Sequence, residues 1–376
     1  MNGEIALGLM SGTSADGVSA ALATFKAHSF KFIGVVHVPY PDEVVRKIRA
    51  GGNLSVREAS ALNVEIGEVF AQAANKVMKK THTDPNHVAC IGSHGQTVYH
   101  GPRDTPRNTL QLGDPAVIAE RTGVTVVSNF HQRDVAAGGE GAPLMPFFDQ
   151  FFFGGGPVRA MQNIGGIGNV TIVGRGIDVP LAFDTGPGNG LMDEAMREIT
   201  GGAEQFDNHG QRAKKGTMSM DAVERMIKHD YFQRPPPKST GLETFGREFL
   251  LSNVGDLLRE KPDDAMASLN YLTCLSIQES YRRFIFPKFE VEEVVVSGGG
   301  AHNRTLMKKL ECLFAPIPVK TIEDFDLPAQ AKEPVAFAFF ALRCLHGKIN
   351  HLPSGTGASG ARILGSITPG PSSGGH

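Results

Sequence analysis

The chain has 376 residues, a formal net charge of −2 and a pI near 6.7, with 41% hydrophobic and 20% charged residues. That near-neutral balance gives no electrostatic footprint for nucleic acid or an anionic membrane surface, and no run reaches the ~18 apolar residues of a membrane span. The length suggests two domains, and glycine, at 45 residues, stands well above its usual share of roughly 7%.

The four cysteines, Cys90, Cys274, Cys312 and Cys344, are far apart and form no C-x-x-C pair. Reduced, buried thiols are expected, without a disulfide framework or a zinc site. Met1 to Glu4 contain no basic region leading into a long apolar core, so no signal peptide is expected and a cytoplasmic location is.

In chain order, Ile5 to Met10 reads as a strand, Ser11 to Gly17 as a polar turn, and Val18 to Phe25 as a second strand. The tip of this hairpin offers hydroxyls, the carboxylate of Asp16 and several backbone donors. Phe30 to Val38 reads as a strand. Ser55 to Lys80 has helical spacing through Ala59, Leu62, Ile66, Val69, Phe70 and Ala73. Val88 to Ile91 is a buried type of strand that runs into Gly92-Ser93-His94-Gly95-Gln96-Thr97, where open α/β sheets place their ligands. His94 reads equally as a structural turn residue. Pro115 to Thr122 is a helix and Val124 to Val127 a strand. Beyond it Asn129 to Asp134 and the Gly138-Gly139-Glu140-Gly141 turn form a second polar strand end.

From Val158 the pattern starts over. Met161 to Val173 is another strand, glycine turn and strand, with Asn163, Gly165 and Gly166 at the tip. Domains of 1–150 and 151–370 are therefore expected, with the boundary near 140–160. Leu181-Ala182-Phe183-Asp184-Thr185-Gly186-Pro187-Gly188-Asn189-Gly190 follows, an apolar run ending in a carboxylate and a glycine turn. This predicts Asp184 at a strand end beside the N-terminus of a helix starting near Leu191. Alone, an Asp-Thr-Gly is more often an Asx turn. Here two other glycine turns share its logic, and two such hairpins would clamp a phosphate chain.

Met218 to Lys228, Phe249 to Leu258 and Met266 to Phe284 read as helices, and Pro235 to Gly241 as a rigid surface segment. Glu293 to Ser297 is a strand entering Gly298-Gly299-Gly300, ahead of a helix over Arg304 to Leu313. Three glycines let a flat ring lie on the backbone; a tight strand–helix corner explains them equally well. Glu333 to Leu345 is a last apolar helix, and a disordered tail is expected from Pro369, with 371–376 outside the second domain.

No P-loop, dinucleotide fingerprint, H-E-x-x-H, EF-hand loop or G-x-S-x-G elbow occurs. What remains is two glycine hairpins, one isolated Asp and a glycine platform. Phosphoryl transfer asks for little more than positioned donors, a metal on the phosphates and a base for the nucleophile.

Gly8-Leu9-Met10-Ser11-Gly12-Thr13-Ser14-Ala15-Asp16-Gly17, Ser93 to Thr97, Gln162 to Ile167, Phe183 to Asn189 and Ser297 to Gly300 occur in this order, with Pro236 to Gly241 and Leu352-Pro353-Ser354. Together they resemble the anhydro-N-acetylmuramic acid kinases, from about residue 5 to 370. That resemblance implies an α/β fold of two actin-like, ribonuclease H-like domains with an ATP and sugar cleft between them. It implies a dimer, with ATP and Mg²⁺ as cofactors and a 1,6-anhydro amino sugar from the cell wall as substrate. Water opens the 1,6-anhydro ring while O6 is phosphorylated, giving N-acetylmuramic acid 6-phosphate.

Carried over by position, Asp184 is the base that activates water. Gly12, Thr13, Ser14, Ala15, Asp16, Gly17, Val18 and Ser19 hold ATP phosphates, with Asp16 near the metal. Asn163, Gly165, Gly166, Gly186, Gly188 and Asn189 grip phosphates from the second domain, and Gly298, Gly299 and Gly300 lie under adenine. His94, Gly95, Gln96, His131, Arg133 and Glu333 face the sugar. The chain departs from the family's usual Asp-Phe-Arg at Asn129-Phe130-His131 and from its Gly-Gly-Gln-Gly at Glu140. An arginine replaced by histidine loses a permanent forked cation, and Arg133 stands in for it if the backbone stays extended. Two other readings follow: the same chemistry on another anhydro sugar such as levoglucosan, or a non-catalytic ATP- or sugar-binding regulator.

Overall fold

A computed structural model describes residues 2–12 and 14–371. The chain divides into two compact units, Met1–Phe152 with Asp326–His376, and Phe153–Phe325.

In the first unit, β1 (Asn2–Met10), β2 (Gly17–Lys26) and β3 (Ser29–Pro39) form an antiparallel meander. β4 (Val88–Ser93) runs parallel to β1, and β7 (Val126–Ser128) parallel to β4. β13 (Ser366–Thr368) closes the row antiparallel to β7, while β5 (Gln96–Gly101) and β6 (Asn108–Leu112) make a separate ribbon. β2 is buried along nearly its whole length, the pattern of a strand covered on both faces.

One cover is the helix Val56–Lys80. Ser55 caps it reciprocally with Glu58, and its buried stripe runs Leu62, Ile66, Val69, Phe70, Ala73, Ala74 and Val77. Burial of each large side chain in that stripe contributes about 1.5–3 kcal/mol. The other cover is the helix Lys332–Leu345, which packs on β1, β2 and β4. Gly8 and Gly92 are register partners on β1 and β4. A Cβ on Gly8 would lie 1.6 Å from the Pro334 carbonyl oxygen, and one on Gly92 would lie 2.0 Å from that of Phe337. Only glycine admits the helix this close.

The second unit repeats the plan. β8 (Arg159–Ile164), β9 (Ile167–Val173) and β10 (Leu181–Pro187) form a meander; β11 (Glu293–Ser297) is parallel to β8, and β12 (Val319–Thr321) parallel to β11. Meander followed by parallel strands, with the first strand in the middle, is the ribonuclease H-like order of actin-like domains. The helices Gly190–Thr200, Arg247–Glu260, Pro262–Ser280 and Arg304–Phe314 supply the apolar core against this sheet.

Four expectations need correction. The second unit ends at Phe325, not near 370, because the Lys332–Leu345 helix and β13 complete the first unit's sheet. Asn129 takes a left-handed conformation (φ 59°) and starts a helix, Phe130–Ala136, in place of an extended run. Asp184 lies inside β10, because pairing with β9 continues past a bulge to Pro187. The tail is tied at Gly370, whose N–H donates to Thr125 Oγ1 at 3.3 Å, and residues 372–376 lie outside the described residues.

Candidate active site

In the first unit, the β1–β2 turn is held from below. Ser11 Oγ donates to Gln96 Oε1 at 2.6 Å and lies 2.8 Å from the Gly17 carbonyl oxygen, while Tyr40 Oη donates to Ser11 Oγ at 3.0 Å. Gln96 Nε2 reaches the Gly12 carbonyl at 3.3 Å. Gln96 is thus a buried brace for the turn. Gly17 sits at φ 154°, with a Cβ there only 2.3 Å from the Val38 carbonyl oxygen, so the turn's exit needs glycine. Gly12 meets no such crowding. Ala15 is buried at φ 52°, Val18 is core and Ser19 half-buried on β2. Thr13 lies outside the described residues. Ser14 Oγ donates to the exposed Asp16 carboxylate at 2.9 Å. Among the described residues no three His, Cys, Asp or Glu side chains gather to hold a metal ion. One exposed carboxylate fits an ion carried chiefly by phosphate oxygens and water.

Beside this turn, His94 and His131 meet edge to face at 4.7 Å, and Phe337 touches both rings, at 4.8 and 6.3 Å. His94 follows β4, with Gly95 left-handed at φ 76°. Each imidazole has its Nδ1 2.6 Å from a carbonyl oxygen, Gly95 for His94 and Gly141 for His131. Burial drives the His94 pKa down to about 3, with His131 adding to the fall, and burial likewise lowers His131. Both rings are neutral near pH 7; the His94 ring bonds the backbone at both Gly95 and Ser11, while in His131 Nδ1–H donates to the Gly141 carbonyl and Nε2 is left as an acceptor. His131 Nε2 is buried without a partner.

Glu333 lies one helical turn before Phe337 on the same face, half-buried, its pKa raised by burial against the pull of Lys332. The fold therefore gathers His94, His131 and Glu333 around Phe337. It does not add Arg133. In a helix, residues two apart point about 200° from one another, so Arg133 is exposed while His131 is buried.

Sequence reasoning passed over what fixes the loop after His131. The buried Asp134 carboxylate accepts from Gly141 N, Thr356 Oγ1 and His351 Nε2, each at 2.6 Å. Burial pushes Asp134 up, but those donors outweigh it and hold the acid below the ordinary range. Thr356 ends a short helix, Pro353–Thr356; Pro353 at its first position was the available signal.

In the second unit, the β8–β9 turn carries Gly165 and Gly166. The Gly166 carbonyl accepts from Gly188 N at 2.9 Å and Gly190 N at 3.0 Å, and Asn189 N donates to Gly165 O at 2.7 Å. Asn189 Nδ2 adds a bond to Ile164 O at 3.2 Å. The Gly186 to Gly190 turn is thus a backing for the hairpin tip. A Cβ on Gly188 would lie 2.3 Å from Gly165 O, and one on Gly186 (φ 136°) 2.7 Å from the Phe232 ring, whereas one on Gly166 would meet nothing within 4 Å. Gly298 (φ 80°) and Gly300 would collide with Asn163 and Ile164 at 2.6 and 2.4 Å; Gly299 meets only Asn189 Nδ2, at 3.4 Å. The packing corner therefore accounts for two of the three glycines without a ring. Asn163 Oδ1 accepts from Ser297 Oγ at 3.4 Å across the same corner.

Asp184 faces Asn169 on β9, half-buried. Its Oδ2 accepts from Thr240 N at 2.9 Å, its N–H donates to the Lys238 carbonyl at 3.1 Å, and Tyr231 Oη donates to its carbonyl at 2.7 Å. Burial pushes the carboxyl up to about 6, while the Thr240 N–H and the Lys238 ammonium hold it from rising further. A carboxylate poised there is ionised near neutrality yet basic enough to take a proton. Asp193, in the first turn of the next helix, is pushed to about 7 by burial with Arg197 opposing; nothing in its one-letter context marked it.

With this geometry in hand, comparison with known proteins is specific. A family model for anhydro-N-acetylmuramic acid kinase matches residues 4–370. Anhydro-N-acetylmuramic acid kinase of Caldanaerobacter subterraneus subsp. tengcongensis is 40% identical, over 97% of both chains. The Salinibacter ruber protein of that name is 38% identical over 97% of this chain and 96% of its own. That of Streptomyces coelicolor is 40% identical over 97% and 93%.

Proposed function

The chain belongs to the anhydro-N-acetylmuramic acid kinase family, and from that premise we propose that it phosphorylates 1,6-anhydro-N-acetylmuramic acid at O6 as water opens the ring. In this reading Asp184 takes a proton from water as the water oxygen bonds to C1. The C1–O6 bond breaks, its electron pair goes to O6, and O6 attacks the γ-phosphorus of ATP, displacing ADP. The products are N-acetylmuramic acid 6-phosphate and ADP, and the sugar is one released by cell-wall turnover.

Supporting this is one carboxylate, half-buried beside a phosphate-type hairpin and poised at about 6. Gly12 to Ser19 and Asn163 to Gly166, with Gly186, Gly188 and Asn189 behind the latter, are assigned to the phosphates. Mg²⁺, when bound, supplies charge neutralisation on the β- and γ-phosphates, and Asp16 would approach it. Glu333, His94, Gly95 and His131 are assigned to the sugar, with Gln96 bracing the turn beside them. In the first unit the neutral His131 ring offers an acceptor to a hydroxyl, and neither it nor the neutral His94 ring offers a cation to a carboxylate. That favours testing sugars without a lactyl group as well, levoglucosan among them. A cytoplasmic homodimer is the setting we infer, and no helix among the described residues is long and apolar enough to cross a membrane.

A coupled ADP-release assay with Mg·ATP and 1,6-anhydro-N-acetylmuramic acid tests this. Wild type should release ADP only with sugar present, and Asp184→Asn should lose turnover while keeping ATP affinity. Comparable turnover in Asp184→Asn would remove Asp184 from the chemistry; no sugar-dependent ADP release would leave a binding protein.

A further inference from the structure

β10 is the edge of its sheet, so one row of its backbone groups has no strand partner. The segment 238–240 takes that place at one residue. It accepts the Asp184 N–H at Lys238 and gives the carboxylate an N–H at Thr240. Asp184 is thereby held by main chain and side chain at once, and Tyr231 Oη holds its carbonyl.

The Lys238 side chain then turns into a cage of rings. Its Nζ lies 4.7 Å from the Tyr231 centroid, 4.9 Å from Phe284 and 5.7 Å from Phe183, and donates to the Tyr231 carbonyl at 3.4 Å. Ring faces stabilise an ammonium without neutralising it. Lys238 makes no salt bridge among the described residues, unlike Lys47, Lys320 or Lys332, so its charge stays unspent beside Asp184.

We propose that Lys238 is a positioning residue for Asp184: its carbonyl fixes the strand, and its ring-caged ammonium supplies the positive field that keeps the carboxylate an anion ready to accept a proton. This rests on reading Asp184 as the base. The other charged groups acting on the pair are Arg234 and Arg283, which oppose the ammonium, and Glu243, which opposes the carboxylate. Burial, with Arg283, lowers Lys238 to about 8. Between about 6 and 8 both groups therefore hold their working charges. Above that window Lys238 discharges after Asp184 has already ionised, so the sensitive limb is the acidic one.

The test is kcat/KM against pH from 5 to 9 for Lys238→Met, Lys238→Gln and Lys238→Arg, with Mg·ATP and 1,6-anhydro-N-acetylmuramic acid. Removing a nearby cation raises a carboxyl's pKa, so Met and Gln should each move the acidic limb up by about one pH unit or more. Arg should return it to the wild-type position, with KM for ATP unchanged within about twofold throughout. Two neutral variants guard against one failing to fold, and thermal melts identify any that has. A profile lowered uniformly in Met or Gln, with its limb unshifted, overturns the role of Lys238. Retained turnover in Asp184→Asn overturns instead the base assignment beneath it.

Discussion

Replacing Gly166 by alanine asks whether the β8–β9 turn is shaped for a ligand or for itself. Gly166 is not among the residues at positive φ, and a Cβ there meets no atom within 4 Å. Its carbonyl is engaged twice, by Gly188 and Gly190, while its N–H has no partner among the described residues. The methyl should leave stability within about 0.5–1 kcal/mol of wild type, with the lower entropy of the unfolded chain acting in its favour. A methyl between that N–H and a phosphate oxygen forfeits a charge-assisted hydrogen bond of about 1.5–3 kcal/mol. That is about tenfold to a hundredfold in Kd. Gly300→Ala is the counterpart: its Cβ would sit 2.4 Å from Ile164 Cγ2 and 2.6 Å from Ile164 Cβ, an overpacking worth about 1–3 kcal/mol. Calorimetric titration with Mg·ATP and thermal melts on both variants read the two effects apart. Wild-type ATP affinity in Gly166→Ala would refute phosphate contact at this turn, and a melting point well below wild type in Gly166→Ala, or an unchanged one in Gly300→Ala, would refute the steric reasoning.

Asp134→Ala strips the acceptor from Gly141 N, Thr356 Oγ1 and His351 at once, so a loss of about 3–5 kcal/mol is expected near neutral pH by denaturant titration. Because Asp134 is held below its ordinary value when folded, that stabilisation is full above the unfolded carboxyl range of about 4 and fades as pH falls through the folded value. Mutant and wild type should converge in acid, and a gap that persists there would argue against the charge. For wild type, kcat/KM should rise with pH through about 6 as Asp184 ionises. Asp193→Asn should leave that limb in place; its disappearance would transfer the limb to Asp193.

The repeated meanders were legible because each is an apolar run, a glycine turn and a second run, and the Val56–Lys80 helix because its stripe and its Ser55–Glu58 cap are local. Long-range facts were not. That the last helix covers the first sheet depends on Gly8 and Gly92 standing side by side, and they are separated by 83 intervening positions in the sequence. Asn129 carried the only local sign of the helix after β7, as a residue tolerant of a left-handed start. Only a stretch that stayed extended would bring Arg133 to the side of His131; one left-handed residue and a helical turn put them on different sides. At Gly298 and Gly300 composition could not choose between a ring platform and a packing corner, since both need a missing Cβ and only coordinates name the neighbour. Lys238 was visible as part of a motif, but its rings come from residues 183, 231 and 284.

The seat that Gly8 and Gly92 make for the Lys332–Leu345 helix also sets an order on synthesis. A ribosome releases the first unit's central strands early, yet the helix that covers them and the strand that closes their row are made last. The second unit, one unbroken stretch, is translated in between and can finish on its own schedule. Until the residues after Phe325 emerge, the glycine floor of that seat has no helix to cover it. Early termination between Phe325 and Leu345 thus costs the first unit its roof while sparing the second.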